Sequence, residues 1–328
     1  MFGLPLFMVT CSPYSLAYRF LYNMEVLESI LDLCDLPTIV ALSRMSHWFV
    51  EIGKWYLHLR LSSLSSRFFN NGDELSFILR ACDGVVSGST ALHIMLPKAT
   101  TMWSPSDLDI YIPLCCEFQI THLLEKKGYH IHNEDSKDHP TYSSSGIFSV
   151  VTFTNKHNKI DVVISTLPCG ASPIFNFHST AIMNFISADS IFCAYPSLTF
   201  QGLSMINSTQ LYNGTLSHVS MTALKKYKAR GFNFVSCPTA HKFAFACKSK
   251  NHSLTDGGCL WVDVKCVPRA ERGPEQIFEK LGVVNINWAL GGLLCGVPAT
   301  FVQPYTRVTG DDSSVRILHT FLVELTII

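Results

Sequence analysis

The segment Asp107-Leu108-Asp109-Ile110-Tyr111-Ile112 restricts the fold of this chain more than any other. It alternates with the period of a β-strand, in which residues two apart share a face. Asp107 and Asp109 therefore project together while Leu108 and Ile110 turn into a core. Downstream, Ile160-Asp161-Val162-Val163-Ile164 sets one acid inside an otherwise apolar strand. A carboxylate there is costly to bury unless it is paired, metal-bound or placed at a rim. Ahead of both, Gly88-Ser89 leaves a short apolar strand, Gly84 to Ser87, and opens a helix over Thr90 to Leu96. A glycine lets backbone approach a ligand closely, and a helix N-terminus offers unpaired N–H groups to a phosphate.

Each of these pieces is commonplace alone; in this order and on these elements they are specific. Two same-face aspartates and a third on a neighbouring strand suit two divalent ions, which sit about 3.5–4 Å apart and clamp the attacking and leaving oxygens of a phosphoryl transfer. Oxygen ligands shared with phosphates are what Mg²⁺, or Mn²⁺, prefers. The predicted metal ligands and catalytic residues are Asp107, Asp109 and Asp161. The bland alternative is a strand end with solvated acids, against which the apolar neighbours argue for a strand edge opening on a cleft.

Composition sets the outer limits. The 328 residues suggest about two domains. Lys+Arg and Asp+Glu balance at 25 each, and charged residues are only 15%, which excludes a disordered scaffold and a polybasic nucleic-acid coat. The 12 cysteines form no dense framework and read as reduced, buried thiols of a cytoplasmic or nuclear protein. Met1 to Val9 is apolar but lacks a basic n-region, Arg19 being the first base, so no secretory signal is expected. The apolar stretch from Val283 to Val302 is interrupted by Asn285, Asn287, Pro298 and several glycines; it reads as buried strand and turn, and no membrane partner is expected. No Walker loop, dinucleotide fingerprint or Ser-His-Asp order is present.

Along the chain, Leu21 to Leu64 reads as helices, with Asp35 capping one that carries Pro37 in its first turn. A serine run at Ser62, Ser63, Ser65 and Ser66 reads as a boundary. Phe118 to Lys127 reads as a helix stopped by Gly128. Phe148 to Thr154 and Lys159 to Ser165 read as strands of a hairpin turning through Asn155 to Asn158. The expected fold class is α/β (α+β), with too few strands for a large doubly wound sheet. The expected domains are a helical segment over 1–68, an α/β domain over 69–235 and a β-rich, cysteine-containing extension over 236–328.

Lys225, Lys226, Lys228 and Arg230 form the one basic cluster, read either as a solvated helix face or as cations that neutralise a triphosphate or an RNA backbone. Lys225 and Lys228 are the predicted nucleotide-binding members. His130 and His132 read as an exposed strand face. Cys237, His241, Cys247, His252 and Cys259 follow no standard zinc spacing and read as buried structural residues.

The ordered set Gly88-Ser89, Asp107-x-Asp109 and Asp161 resembles the nucleotidyltransferase-fold superfamily, which includes DNA polymerase beta and the poly(A) polymerases. That resemblance implies a mixed sheet with flanking helices and transfer of a nucleotidyl group from an NTP to a hydroxyl acceptor. It implies that Gly88 and Ser89 are nucleotide-binding, Ser89 helping to hold the β- and γ-phosphates, that Asp107 and Asp109 bind both metals, and that Asp161 completes the metal that activates the acceptor. The segment from Thr90 to Ser106 is longer than the compact family spacing. Val26 to Leu61, with Asp35-Leu36-Pro37 and Ala41-Leu42-Ser43, resembles F-box-like helices. The stretches His178 to Phe185, Ala194 to Thr199 and Lys225 to Phe232 are similar to nucleotidyltransferase-like proteins of mushroom-forming fungi. A competing reading follows from the helices: a non-catalytic adaptor in which they recruit a ubiquitin ligase through a Skp-type protein and the α/β domain holds a client or a nucleotide.

Overall fold

The computed structural model describes residues 23–135, 146–207, 218–235, 251–264, 285–293, 301–302 and 304–309. Met1 to Val9, Cys237, His241, Cys247 and the Phe321 to Ile328 tail lie outside the described residues.

Side-chain caps start the first three helices among the described residues. The N–H groups of Glu25 and Val26 donate to Asn23 Oδ1 ahead of α1 (Met24–Leu31). Asp35 accepts from the Thr38 N–H at 2.9 Å and opens α2 (Leu36–Ser43), with Pro37 in its first turn as expected. Ser46 accepts from the Phe49 N–H ahead of α3 (His47–Phe68). This helix runs straight through the serines expected to mark a boundary. The reason is tertiary: Ser65 is buried, its hydroxyl donating to Asn71 O at 2.7 Å and accepting from the Leu75 N–H at 3.0 Å. Those bonds dock α4 (Glu74–Ala81) onto the end of α3.

The strands are β1 (Val85–Ser87), β2 (Leu108–Pro113), β3 (His130–Asp135), β4 (Ile147–Thr154), β5 (Lys159–Ser165), β6 (Asn184–Ile186), β7 (Ser190–Cys193), β8 (Leu203–Met205), β9 (Asn233–Val235), β10 (His252–Ser253), β11 (Leu260–Asp263), β12 (Asn285–Ala289), β13 (Gly292–Leu293), β14 (Phe301–Val302) and β15 (Tyr305–Thr309). The remaining helices are α5 (Gly88–Met95), α6 (Glu117–Lys126), the single-turn α7 (Pro196–Thr199) and α8 (His218–Ala229). One eight-stranded mixed sheet runs in the order β11-β7-β6-β1-β2-β5-β4-β3. It is wider than the sequence suggested, because β6, β7 and β11, at three or four residues each, are too short to show a strand period. The β2–β5 pair is parallel, and its crossover passes through α6, β3 and β4; the other pairs are antiparallel. No helix among the described residues is long and apolar enough to cross a membrane.

The two faces of this sheet bury different things. Val86, Ile110, Val162 and Ile164 pack with Leu57, Ile78 and Leu124 from α3, α4 and α6 in one core that also takes in Leu27 and Leu36. The N-terminal helices therefore share their core with the sheet. On the opposite face, Val85, Tyr111, Val163 and Phe185 pack under Phe175, Tyr195 and Trp288. Trp288 stacks on Phe175 with ring centroids 4.2 Å apart, and its indole N–H donates to Tyr195 Oη at 2.9 Å. It lies on the small sheet β10-β12-β15. The C-terminal segment is thus built into the fold twice, by that sheet and by β11 at the edge of the main one. His252 Nδ1 lies 3.3 Å from Asp256, and the thiol of Cys259 contacts the carbonyls of Ala194 and Ser253.

Candidate metal centre

Strand period and register bring the three acids together. In the parallel β2–β5 ladder Asp109 is the direct partner of Asp161, at the end where both strands begin. Asp107 lies two residues before Asp109 and shares its face. Each offers a carboxylate oxygen, and the three oxygens all lie within 4.8 Å of one another. This face is the one that carries Val85, Tyr111 and Val163, so the acids stand at the margin of the second core.

Neighbouring strands and α5 hold each acid differently. Asp161 accepts from Thr152 Oγ1 at 2.6 Å and from Lys159 Nζ at 2.7 Å. Thr152 is opposite Asp161 in the β4–β5 ladder, and Lys159 is two residues back on the same face of β5. Asp107 receives a side-chain hydrogen bond from Ser106, and its backbone carbonyl accepts from Thr90 Oγ1 in the first turn of α5 at 2.9 Å. Asp109 lies over the start of α5. Ser87 is its partner in the β1–β2 ladder, and Gly88, at φ +67°, follows immediately. A Cβ at Gly88 would collide with Asp109 Oδ2. The close approach expected of this glycine is therefore made first to a carboxylate of the site itself. Ser89 is buried in that same first turn.

The electrostatics are those of crowded negative charge. Burial, then repulsion from Asp107 and Asp161, pushes the Asp109 carboxyl up to about 7, against the pull of Lys226 and Lys159. The Lys159 ammonium is held protonated to higher pH through its bond to Asp161 and its attraction to the three acids, which outweigh its own desolvation. From the basic cluster on and just after α8, Lys226 acts on Asp109 and Arg230 on Asp107. Lys225 and Lys228 are exposed on the same helix. Arg230 sits 4.0 Å over the ring of Trp103 and 5.3 Å from that of Tyr227, with Nη1 buried and unpartnered. Trp103 comes from the long segment between α5 and β2. His178 packs beside Tyr227, its Nδ1 buried without a partner; desolvation, and then Lys226, pushes this imidazole down to about 4. His130 and His132 are exposed on β3, well away along the sheet order.

An all-oxygen donor set with mutual repulsion among its members fits a hard divalent cation, because the ion relieves the repulsion that raises Asp109. Lys159, Thr152, Thr90 and Trp103 belong to this neighbourhood and were not singled out from sequence. Lys159 was legible in principle, since Lys159-x-Asp161 on a strand shares a face.

Gly88→Ala tests how tightly this centre is built. The substitution adds about 1–2 kcal/mol of left-handed backbone strain and drives the Asp109 carboxylate off its position. Mn²⁺ affinity, read by electron paramagnetic resonance of the free ion, is expected to fall about tenfold or more in a protein that still melts cooperatively. Unchanged affinity would show that Asp109 has room to move without cost. No family model, no curated protein and no solved structure matches this chain.

Proposed function

We propose that this chain is a divalent-metal-dependent nucleotidyltransferase that moves a nucleotidyl group from an NTP to a hydroxyl acceptor. The observation that carries this reading is the convergence of Asp107, Asp109 and Asp161 on one face of the sheet beside the Gly88 turn. Mg²⁺ or Mn²⁺ held by these carboxylates supplies charge neutralisation to the polyphosphate and acidity to the acceptor hydroxyl. The protein then has to position and neutralise, which is most of what in-line phosphoryl chemistry asks of it. Asp109 is fixed from two sides, by its ladder with β5 and by the backbone of Gly88. Asp161 is oriented by Thr152 and Lys159, one bond to each oxygen. Lys226 and Arg230, beside the acids, and Lys225 and Lys228, exposed on the same helix, give a nucleotide's phosphates positive charge to approach. Gly88 and Ser89 open α5 at the same point, and the helix N-terminus favours negative charge there. In the step itself the acceptor oxygen bonds to the α-phosphorus, the bond to the β-phosphate oxygen breaks, and pyrophosphate leaves as the hydroxyl gives up its proton.

The test is incorporation of radiolabelled NTP into acceptors with Mg²⁺ or Mn²⁺, for the wild type and for Asp107→Ala/Asp109→Ala. Incorporation is expected only in the wild type, and equal signals would reject the reading. Calorimetric titration of the wild type with ATP and Mg²⁺ separates a closed nucleotide pocket from an active site lacking its acceptor.

A further inference from the structure

At the opposite end of β2 from the acids, the chain makes one 3₁₀ turn over Leu114–Cys116 before entering α6. Cys115 and Cys116 are adjacent in this turn, and their Sγ atoms lie 3.8 Å apart in a thiol–thiol hydrogen bond. Cys115 is exposed, whereas Cys116 is 7% exposed and occupies the N-cap of α6. Among the described residues every other cysteine is buried or half-buried. None of this is used by the metal centre.

We propose that Cys115 and Cys116 form a peroxide-modified dithiol, in which Cys115 is the attacking sulfur and Cys116 the resolving one. The two thiols are set apart by their surroundings. Contact with the Cys116 sulfur lowers the exposed Cys115 thiol below the ordinary value, whereas that contact and burial hold Cys116 protonated well above it. In the first step the Cys115 thiolate bonds to one oxygen of a hydroperoxide and the O–O bond breaks. The second oxygen leaves as alcohol or water once it has taken a proton from solvent, and Cys115 becomes a sulfenic acid. In the second step the Cys116 sulfur attacks Cys115. The S–O bond breaks, and hydroxide leaves with the Cys116 proton as water. Two thiols and one hydroperoxide thus give a disulfide, an alcohol (or water) and a water. Adjacent Cα atoms are about 3.8 Å apart, closer than the roughly 4.4–6.8 Å of ordinary disulfides, so the product is strained and returns readily to the dithiol under thiol reductants.

The test uses the full chain and hydrogen peroxide at one equivalent, followed by quenching with iodoacetamide and digestion with trypsin. The peptide spanning 99–126 holds Cys115 and Cys116 and no other cysteine. It is expected to lose two hydrogens in mass, to regain them with dithiothreitol, and to react about tenfold faster than the half-buried Cys34. Cys116→Ser is expected to stop at a Cys115 sulfenic acid that dimedone traps, and Cys115→Ser to leave Cys116 unreacted. A wild-type peptide that keeps both thiols, or Cys116 oxidised as fast without Cys115 as with it, overturns the proposal. Neither result depends on whether the protein transfers nucleotides.

Discussion

Asp109→Asn is expected to weaken Mn²⁺ binding by more than about 100-fold and, in the metal-free protein, to raise the melting temperature at neutral pH. The two effects have one cause. Asp109 stands between Asp107 and Asp161 with its carboxyl packed against the backbone at Gly88, and burial and repulsion raise it from an ordinary 3.8 to about 7. Between those values the folded chain keeps a proton that the unfolded chain releases. The stability associated with that proton is fully present below the unfolded value and is lost as pH rises through the folded one. Above about pH 7 the loss is complete and the curve is flat. An asparagine has no proton to release, so the variant lacks this decline. The melting temperatures of the two proteins are expected to coincide near pH 4 and to separate by several degrees by pH 8, the variant being the more stable. Saturating Mn²⁺ reverses the order, because only the wild type is stabilised by the ion. A constant difference across the pH range would place the penalty on some group other than Asp109.

The acids were legible because both signals are local. Alternation on one strand fixed Asp107 and Asp109 to a shared face, and an isolated acid in an apolar run marked Asp161 as needing a partner. The Asp35 cap and the Asn155 to Asn158 turn were legible for the same reason: Asn155 Oδ1 accepts from the N–H groups of His157 and Asn158, as a turn-forming asparagine does. Thr152 needed one more step. Once that turn sets Thr154 opposite Lys159, Thr152 must fall opposite Asp161. The contact of Arg230 with Trp103 had no such route, since nothing local tells which helix the long segment before β2 packs against. Composition misled at the serine run of α3, where a buried hydroxyl satisfying two backbone groups looks in sequence like a linker. It also concealed β11, which reaches the sheet edge from a segment taken for an extension.

Arg60→Ala is expected to destabilise the whole chain by about 2–6 kcal/mol, the sum of two stranded carbonyls at about 1–3 kcal/mol each. Arg60 belongs to α3 and is 7% exposed. Its Nη1 donates to Leu96 O at 2.9 Å and its Nη2 to His93 O at 3.0 Å, both at the C-terminal end of α5. Those carbonyls have no partner within the helix, and a cation at this end also meets the negative pole of its dipole. Alanine leaves both part-buried carbonyls without this partner; Arg60→Lys, with a point charge in place of a planar fork, recovers only part of the loss. The form of the transition is as informative as its midpoint. If α1 to α3 were held to the sheet only by this contact, urea would unfold them first, and the helical signal would fall before the fluorescence of Trp261 and Trp288 changed, read with Trp48, Trp55 and Trp103 replaced by Phe. Leu27, Leu36, Leu57, Val86 and Ile110 instead share one core, so both probes are expected to report a single coincident transition shifted to lower urea. Separate transitions would make the N-terminal helices a unit of their own. Coincident ones would tie the end of α5 that Arg60 holds to the other end, where Gly88 meets Asp109, in one cooperative structure.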